Sequence, residues 1–165
     1  MEAVREKSRL ELVVSISDMR VTARPRHVLV THSLGSCLGL AAYDPTVRVA
    51  GLIHCLLPVM PKFKPGANPY MFVNTGVTAM IKAMFNLKAK KENLILKAAG
   101  CGRMMNVANQ FDTGANNFEA LRRLLEKNEL QLTASDTGGT APRTMRFYAD
   151  TGVVLISSLG KSWEL

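Results

Sequence analysis

Residues 38–57 have the sequence LGLAAYDPTVRVAGLIHCLL, two apolar stretches on either side of a turn signal. The signal is the tetrapeptide YDPT at residues 43–46, because aspartate and proline both favour tight turns. We predict a β-hairpin with arms at residues 38–43 and 47–57. The proline at position 58 ends the second arm, since proline donates no N–H to a sheet.

The register of this hairpin determines which side chains face each other. If the arms pair about the bond between Pro45 and Thr46, Cys37 lies directly opposite His54. Cross-strand partners share a face with their Cβ atoms about 5 Å apart, so this thiol and imidazole would form a nucleophile–base pair. A shift of one residue would send His54 to the opposite face.

The rest of the chain contains short β-rich segments and two amphipathic patterns. Apolar residues recur at three- and four-residue intervals over residues 73–85 and again over 118–125, which predicts two helices, the second capped by Asn116 or Asn117. Further strands are predicted at residues 10–16, 27–31, 94–99, 130–135, 144–148 and 153–157. Because helices and strands do not alternate regularly, we expect an α+β fold.

The composition indicates a single domain spanning residues 1–165. The chain is 47% hydrophobic, which supports a substantial core. It has no apolar run of about 18 residues and no hydrophobic leader, so we expect neither membrane insertion nor secretion. Its three cysteines suggest no disulfide framework and favour reduced thiols in a cytoplasmic setting.

The net charge of +8 favours an acidic partner. Nucleic acid fits poorly, because aromatic residues make up 6% of the chain and neither a recognition motif nor a dense run of lysine and arginine is present. An acidic protein surface accounts for the charge as well.

The residues around Cys37 suit a nucleophile. Gly35 and Ser36 leave the backbone before the thiol accessible, so main-chain N–H groups there could stabilise an oxyanion. Thr31 could orient the His54 ring through its hydroxyl or its carbonyl if its strand lies beside the hairpin. The alternative is that Cys37 packs as a small apolar residue and that His54 is a buried histidine with one hydrogen bond.

The other two cysteines are weaker candidates. Cys55 directly follows His54, and neighbouring strand residues point to opposite faces, so we expect Cys55 in the core. Cys101 lies between two glycines, so we expect it to be exposed and treat it as a reserve nucleophile, but no histidine is near it in sequence. A zinc site is the metal alternative, with Cys37, His54, Cys55 and Cys101 as its candidate ligands. The spacings typical of zinc sites are absent and Cys55 faces the wrong way, so we expect no metal and no organic cofactor.

Three motifs together resemble the CheD family of chemoreceptor glutamine deamidases. They are THSLGSCLG at residues 31–39, YDP at 43–45 and GLIHCLLP at 51–58. The resemblance continues through residues 74–84, 97–105, 116–125 and 136–156. It implies a mixed β-sandwich with helices packed on the outside. It also implies Cys37 as nucleophile, His54 as base and acid, and Thr31 as the residue that orients the ring.

Some positions depart from the family pattern. The family commonly has Thr-Leu-Gly-Leu-Gly-Ser-Cys, whereas Thr31 is followed here by His32 and Ser33. His32 adds a second imidazole near the thiol and is therefore an alternative base. The family's Phe-Gly-Gly-Ala is replaced over residues 99–103, and its arginine–asparagine pair by two asparagines at 116–117.

The resemblance implies conversion of specific receptor glutamines to glutamate through a thioester on cysteine, in chemotaxis adaptation. The expected partners are the cytoplasmic helices of chemoreceptors, with a CheC-type phosphatase as a second candidate. Two alternatives stay open: a docking module without catalysis that binds receptors or such a phosphatase, and a methylesterase that acts on receptor methyl-glutamates through the same cysteine. We expect a monomer.

Overall fold

Two five-stranded β-sheets pack face to face within residues 8–62, 65–105 and 112–165, which the computed structural model describes. The strands are β1 (Leu10–Val13), β2 (Asp18–Thr22), β3 (His27–Leu34), β4 (Leu38–Asp44), β5 (Val49–Cys55), β6 (Ile95–Gly100), β7 (Ala134–Thr137), β8 (Arg143–Tyr148), β9 (Val154–Ser158) and β10 (Lys161–Glu164). The helices are α1 (Val73–Asn86) and α2 (Thr113–Lys127), with short 3-10 turns at Pro69–Met71 and Lys91–Asn93.

The two sheets are both mixed. Sheet one has the strand order β1-β3-β8-β9-β10, and sheet two has the order β2-β5-β4-β6-β7. Strand β1 is parallel to β3, and β6 is parallel to β7, whereas the other described strand pairs are antiparallel. Both helices pack on the side of sheet two that faces away from sheet one. The prediction of an α+β fold built on a mixed β-sandwich with outer helices is therefore confirmed.

The central strands β4 and β5 are buried on both faces. Their side chains alternate, so that Leu40 packs against the helices and Ala41 packs against sheet one. Gly39, also on β4, faces sheet one where the two sheets approach each other closely. A Cβ there would lie 2.5 Å from Met145 Sδ and 2.7 Å from Leu34 Cδ1. The sheets can approach this closely only because residue 39 has no side chain.

The predicted hairpin is present as β4 and β5, but its predicted register is wrong. Gly39, not Cys37, pairs with His54. The connecting loop is longer than predicted, because the Asp44 carboxylate accepts hydrogen bonds from the N–H and the hydroxyl of Thr46 at 2.9 and 2.6 Å. The register differs by two residues. Because side chains alternate with a period of two, both site residues stay on the predicted face.

Other element boundaries also differ from the prediction. Helix α2 begins earlier, with Asp112 as its N-cap, whose side chain accepts the Ala115 N–H at 3.1 Å. The predicted caps at 116 and 117 therefore lie inside the helix. Strands β2 and β10 were not predicted, because both are short, β2 is only partly buried and β10 is exposed, so neither carries a clear apolar pattern. The predicted strand at residues 130–135 is β7, four positions later.

Helix α2 begins directly on the segment that follows β6. A Cβ on Gly114 would lie 2.6 Å from the carbonyl oxygen of Cys101 and closer still to that of Gly102. Both neighbouring atoms belong to the backbone, so they cannot move aside as the end of a flexible side chain could. The first turn of α2 is therefore in close contact with residues 101–102.

We expect Gly114→Ala to destabilise the fold, because its methyl group meets fixed carbonyl oxygens. Overpacking of this kind costs about 1–3 kcal/mol, so the melting temperature should fall by about 2–12 °C. The matched control is Gly35→Ala, whose Cβ would meet nothing within 4 Å. Calorimetry that finds equal melting temperatures for both variants would contradict the close contact of α2.

Candidate active site

A series of hydrogen bonds joins the two sheets at the centre of the sandwich. Thr31, on β3 of sheet one, bonds through Oγ1 to the carbonyl oxygen of Val14 at 2.7 Å and to Nδ1 of His54, on β5 of sheet two, at 2.7 Å. Thr31 and His54 are fully buried. The Val14 segment is fixed in turn, because its N–H donates to Val30 at 2.7 Å.

These two hydrogen bonds of Thr31 determine the tautomer of His54. A carbonyl oxygen can only accept, so the single hydroxyl proton of Thr31 goes to Val14. Thr31 Oγ1 must then accept a hydrogen bond from His54, which places the imidazole proton on Nδ1 and leaves Nε2 unprotonated. The ring therefore presents a free lone pair at Nε2, the form required of a general base.

His54 is also held in its neutral form. Burial lowers the pKa of His54 to about 4 from its usual value of 6.5, because the charged ring would lose its hydration. Its Nε2 atom is buried and has no hydrogen-bond partner among the described residues. At neutral pH this nitrogen is a buried acceptor without a donor.

Cys37 lies immediately before β4 and faces the space between the sheets, with 7% of its surface exposed. Since Gly39 pairs with His54, Cys37 is the diagonal neighbour of His54 on the same face. Diagonal neighbours are about 7–8 Å apart, within reach of a ring such as imidazole. The thiol makes no hydrogen bond to Nε2 in this resting arrangement. Bonds of this kind often form only when substrate binds.

The resting thiol is protonated. Burial raises the pKa of Cys37, and the backbone N–H of Cys37 itself offsets part of that rise. Cys37 is therefore not stored as a thiolate, and it would need a base to remove its proton before it could act as a nucleophile.

The loop that carries Cys37 has all its carbonyl groups engaged. Gly102 N–H donates to the carbonyl of Gly35 at 2.8 Å, and Cys101 N–H donates to that of Cys37 at 2.8 Å. The side-chain amide of Asn117 donates to the carbonyl of Ser36 at 2.9 Å. Among the described residues, no backbone oxygen accepts the N–H groups of residues 35–37. These N–H groups therefore have no backbone oxygen as a partner, and that of Cys37 contacts its own sulfur.

The structure separates the remaining candidates from this site. Cys55 is fully buried on the helix side of sheet two, as predicted. The expectation that Cys101 is an accessible reserve nucleophile is wrong, because it is 4% exposed and burial raises its pKa to about 12. His32 is exposed and follows Thr31 in a strand, so its side chain points away from His54.

Two contributors were missed by sequence reasoning. The Val14 carbonyl is a backbone group, and no sequence signal identifies it. Asn117 was considered only as a helix cap, although it is fully buried in α2 and contacts the loop before Cys37. The available signal was its position, since Asn117 has the helical spacing of the apolar residues Leu121 and Leu125. A polar group on a buried helix face needs a hydrogen-bond partner.

The described residues contain no group of three or more histidine, cysteine, aspartate or glutamate side chains that could hold a metal ion. In the same part of the chain, neither helix has the length and apolar character needed to cross a bilayer.

The sequence matches the family described as CheD chemotactic sensory transduction over residues 56–158. A protein of Symbiobacterium thermophilum named probable chemoreceptor glutamine deamidase CheD is 41% identical over 157 residues, covering 93% of this chain and 94% of that protein. A protein of Thermococcus kodakarensis with the same name is 38% identical over 147 residues, covering 88% and 91%. The longer alignment necessarily includes residues 31–54.

Solved structures show a weaker similarity. The YfiH protein of Bacillus licheniformis has a TM-score of 0.46 and 16% identity, covering 73% of this chain and 49% of that chain. The NMB0706 protein of Neisseria meningitidis has a TM-score of 0.47 and 14% identity, covering 84% and 67%. The sequence similarity, by contrast, extends through nearly the whole chain at more than one-third identity, and it is on this ground that the protein belongs to the CheD family.

Proposed function

We propose that this chain is a chemoreceptor glutamine deamidase that uses Cys37 as its nucleophile. Its relatives are named probable chemoreceptor glutamine deamidases. This chain would hydrolyse the side-chain carboxamide of specific chemoreceptor glutamines to glutamate, and we place those glutamines in the cytoplasmic helices of the receptors. The observation that carries the proposal is the bond from His54 Nδ1 to Thr31, because it leaves Nε2 unprotonated on the face that Cys37 shares.

The reaction begins with proton transfer from Cys37 to His54 Nε2. The thiolate attacks the carboxamide carbon, and the N–H groups of Ser36 and Cys37, with that of Gly35 beside them, stabilise the oxyanion. His54 then gives its proton to the departing ammonia, which leaves a thioester. Water attacks the thioester with His54 as base, releasing glutamate and the free thiol. Thr31 accepts a hydrogen bond from the Nδ1–H group throughout and keeps the ring oriented.

The recessed thiol suits a glutamine substrate. Cys37 is 7% exposed, so a reacting group must extend inward from the substrate backbone. A glutamine side chain carries its carboxamide beyond two methylene groups, which allows the amide to enter while the helix stays outside. The net charge of +8 favours binding of acidic receptor helices. The reaction would take place in the cytoplasm, within one domain and without a cofactor, and a CheC-type phosphatase is a further proposed partner.

We expect Cys37→Ala and His54→Ala to abolish conversion of glutamine in a chemoreceptor cytoplasmic fragment. Each removes a group that every step needs, so the rate should fall about a thousandfold or more. Mass spectrometry of tryptic peptides measures the conversion, with Cys101→Ala as the matched control that keeps its activity. Conversion by Cys37→Ala at the wild-type rate would overturn the proposal.

The same experiment separates the two alternatives. A docking module would bind the receptor fragment while every glutamine stays unchanged in the wild-type reaction. A methylesterase would release methanol from a methylated fragment, because its leaving group is an alcohol rather than ammonia.

We expect Thr31→Val to lower kcat by about a hundredfold or more, because the loss of the hydroxyl removes the group that fixes the His54 tautomer. Thr31→Ser keeps the hydroxyl and should retain most of the activity. Steady-state kinetics on the receptor fragment, with melting temperatures as a check of folding, test this. A folded Thr31→Val variant with wild-type kcat would show that the ring needs no orienting partner.

We expect the acidic limb of the kcat/KM profile to have its midpoint near pH 4 rather than near 6.5. Protonation of His54 removes the base, and burial lowers its pKa to about 4, so activity should persist as the pH falls through 6.5 and be lost only near 4. Rates measured from pH 3.5 to 8, with circular dichroism to verify the fold, give the midpoint. A limb centred near 6.5 would mean that the ring is hydrated.

A further inference from the structure

Asn117 connects the segments that carry the nucleophile and the base. It lies in the second turn of α2 and is fully buried. Its Nδ2 donates to the carbonyl of Ser36 at 2.9 Å and to the carbonyl of Leu56 at 3.1 Å. Ser36 directly precedes Cys37, and Leu56 follows His54 by two residues. One side chain therefore bridges two parts of the site that are far apart in sequence.

The chemistry of the two partners fixes the orientation of this amide. Both are carbonyl oxygens, which accept only, so the NH₂ group of Asn117 must face them and uses both of its protons. Its Oδ1 then has no partner among the described residues, although it is buried. The unpaired oxygen is unfavourable, but an apolar side chain at this position would leave the carbonyls of Ser36 and Leu56 without this donor. Asn117 therefore keeps two specific contacts although its own oxygen stays unpaired.

Planarity of the peptide bond transmits this contact to Cys37. The C=O of Ser36 and the N–H of Cys37 belong to one trans peptide unit, so they point in opposite directions. A carbonyl that is held by Asn117 directs the Cys37 N–H away from α2. The neighbouring carbonyls of Gly35 and Cys37 are held by backbone N–H groups, so the Ser36 carbonyl is the one in this loop that a side chain holds.

The helix is a firm support for this contact. The Cα of Gly114 packs directly on residues 101–102, whose N–H groups hold the carbonyls of Cys37 and Gly35. Asn117 follows Gly114 by three residues and is therefore fixed relative to the same loop. Rigid support matters because an oxyanion donor must be in place before charge develops.

We propose that Asn117 is a positioning residue that orients the Cys37 N–H as an oxyanion donor, acting through the Ser36 carbonyl. The inference rests on the proposed deamidation and assigns no contact between Asn117 and substrate. Asn117→Asp keeps the shape of the side chain but offers no N–H to either carbonyl, so the peptide between Ser36 and Cys37 is no longer held. Asn117→Ala removes the contact without adding charge and is available if the carboxylate prevents folding.

The test compares kcat, KM and thiol alkylation in the two variants. We expect kcat for the receptor fragment to fall about a hundredfold, the usual cost of losing one oxyanion donor, with KM nearly unchanged. Alkylation of Cys37 by iodoacetamide should stay close to the wild-type rate, because displacement of iodide develops no oxyanion. The matched control is Leu125→Ala, which removes a buried side chain two turns further along the same helix and should lower the melting temperature while sparing kcat.

Three results would overturn the inference. A folded Asn117→Ala variant with wild-type kcat would show that the contact does not orient the donor. An equal loss of kcat in Leu125→Ala, or an equal loss of alkylation in the Asn117 variants, would indicate a general structural role. If the wild-type chain leaves every receptor glutamine unchanged, the proposed function itself fails, and that result is recognised from the wild type alone.

Discussion

The hydroxyl of Thr31 lies between a carbonyl on one side and an imidazole on the other, and the geometry of the site depends on it. Its single proton goes to Val14, so it can only accept from His54. The two sheets must therefore stay at the separation that this bond requires. Gly39, which leaves space for Met145 and Leu34, allows that close approach. The same hydrogen bond therefore limits the separation of the sheets and fixes the tautomer of His54.

The loop that carries Cys37 is held by different means. Three successive carbonyls, at residues 35–37, are bonded to the segment after β6 and to helix α2. Within the described part of the chain, the N–H groups of these three residues have no backbone acceptor. The Cys37 thiol is neutral because burial raises its pKa. A fixed base, fixed donors and a protonated thiol match a reaction in which charge appears only after the substrate amide is in place.

The alternation of side chains in strands made the shared face of Cys37 and His54 predictable, and an error of two residues in register left that face unchanged. The register itself was not predictable from turn propensity, because Asp44 closes a longer loop by bonding to Thr46. The prediction that Cys101 is accessible was also wrong. Its glycine neighbours suggested exposure, but α2 covers the segment, a contact between residues distant in sequence.

The sequence by itself determined the two helices, most of the strands, the α+β class and the motifs around residues 31–39 and 51–58. These follow from local periodicity and from side-chain chemistry, which are properties of neighbouring residues. Only the tertiary structure decided which carbonyl receives the Thr31 proton, which nitrogen of His54 is free, and what Asn117 holds. Each of these depends on hydrogen bonds between segments that are remote in the chain, and the direction of such a bond is fixed only when both partners are in place.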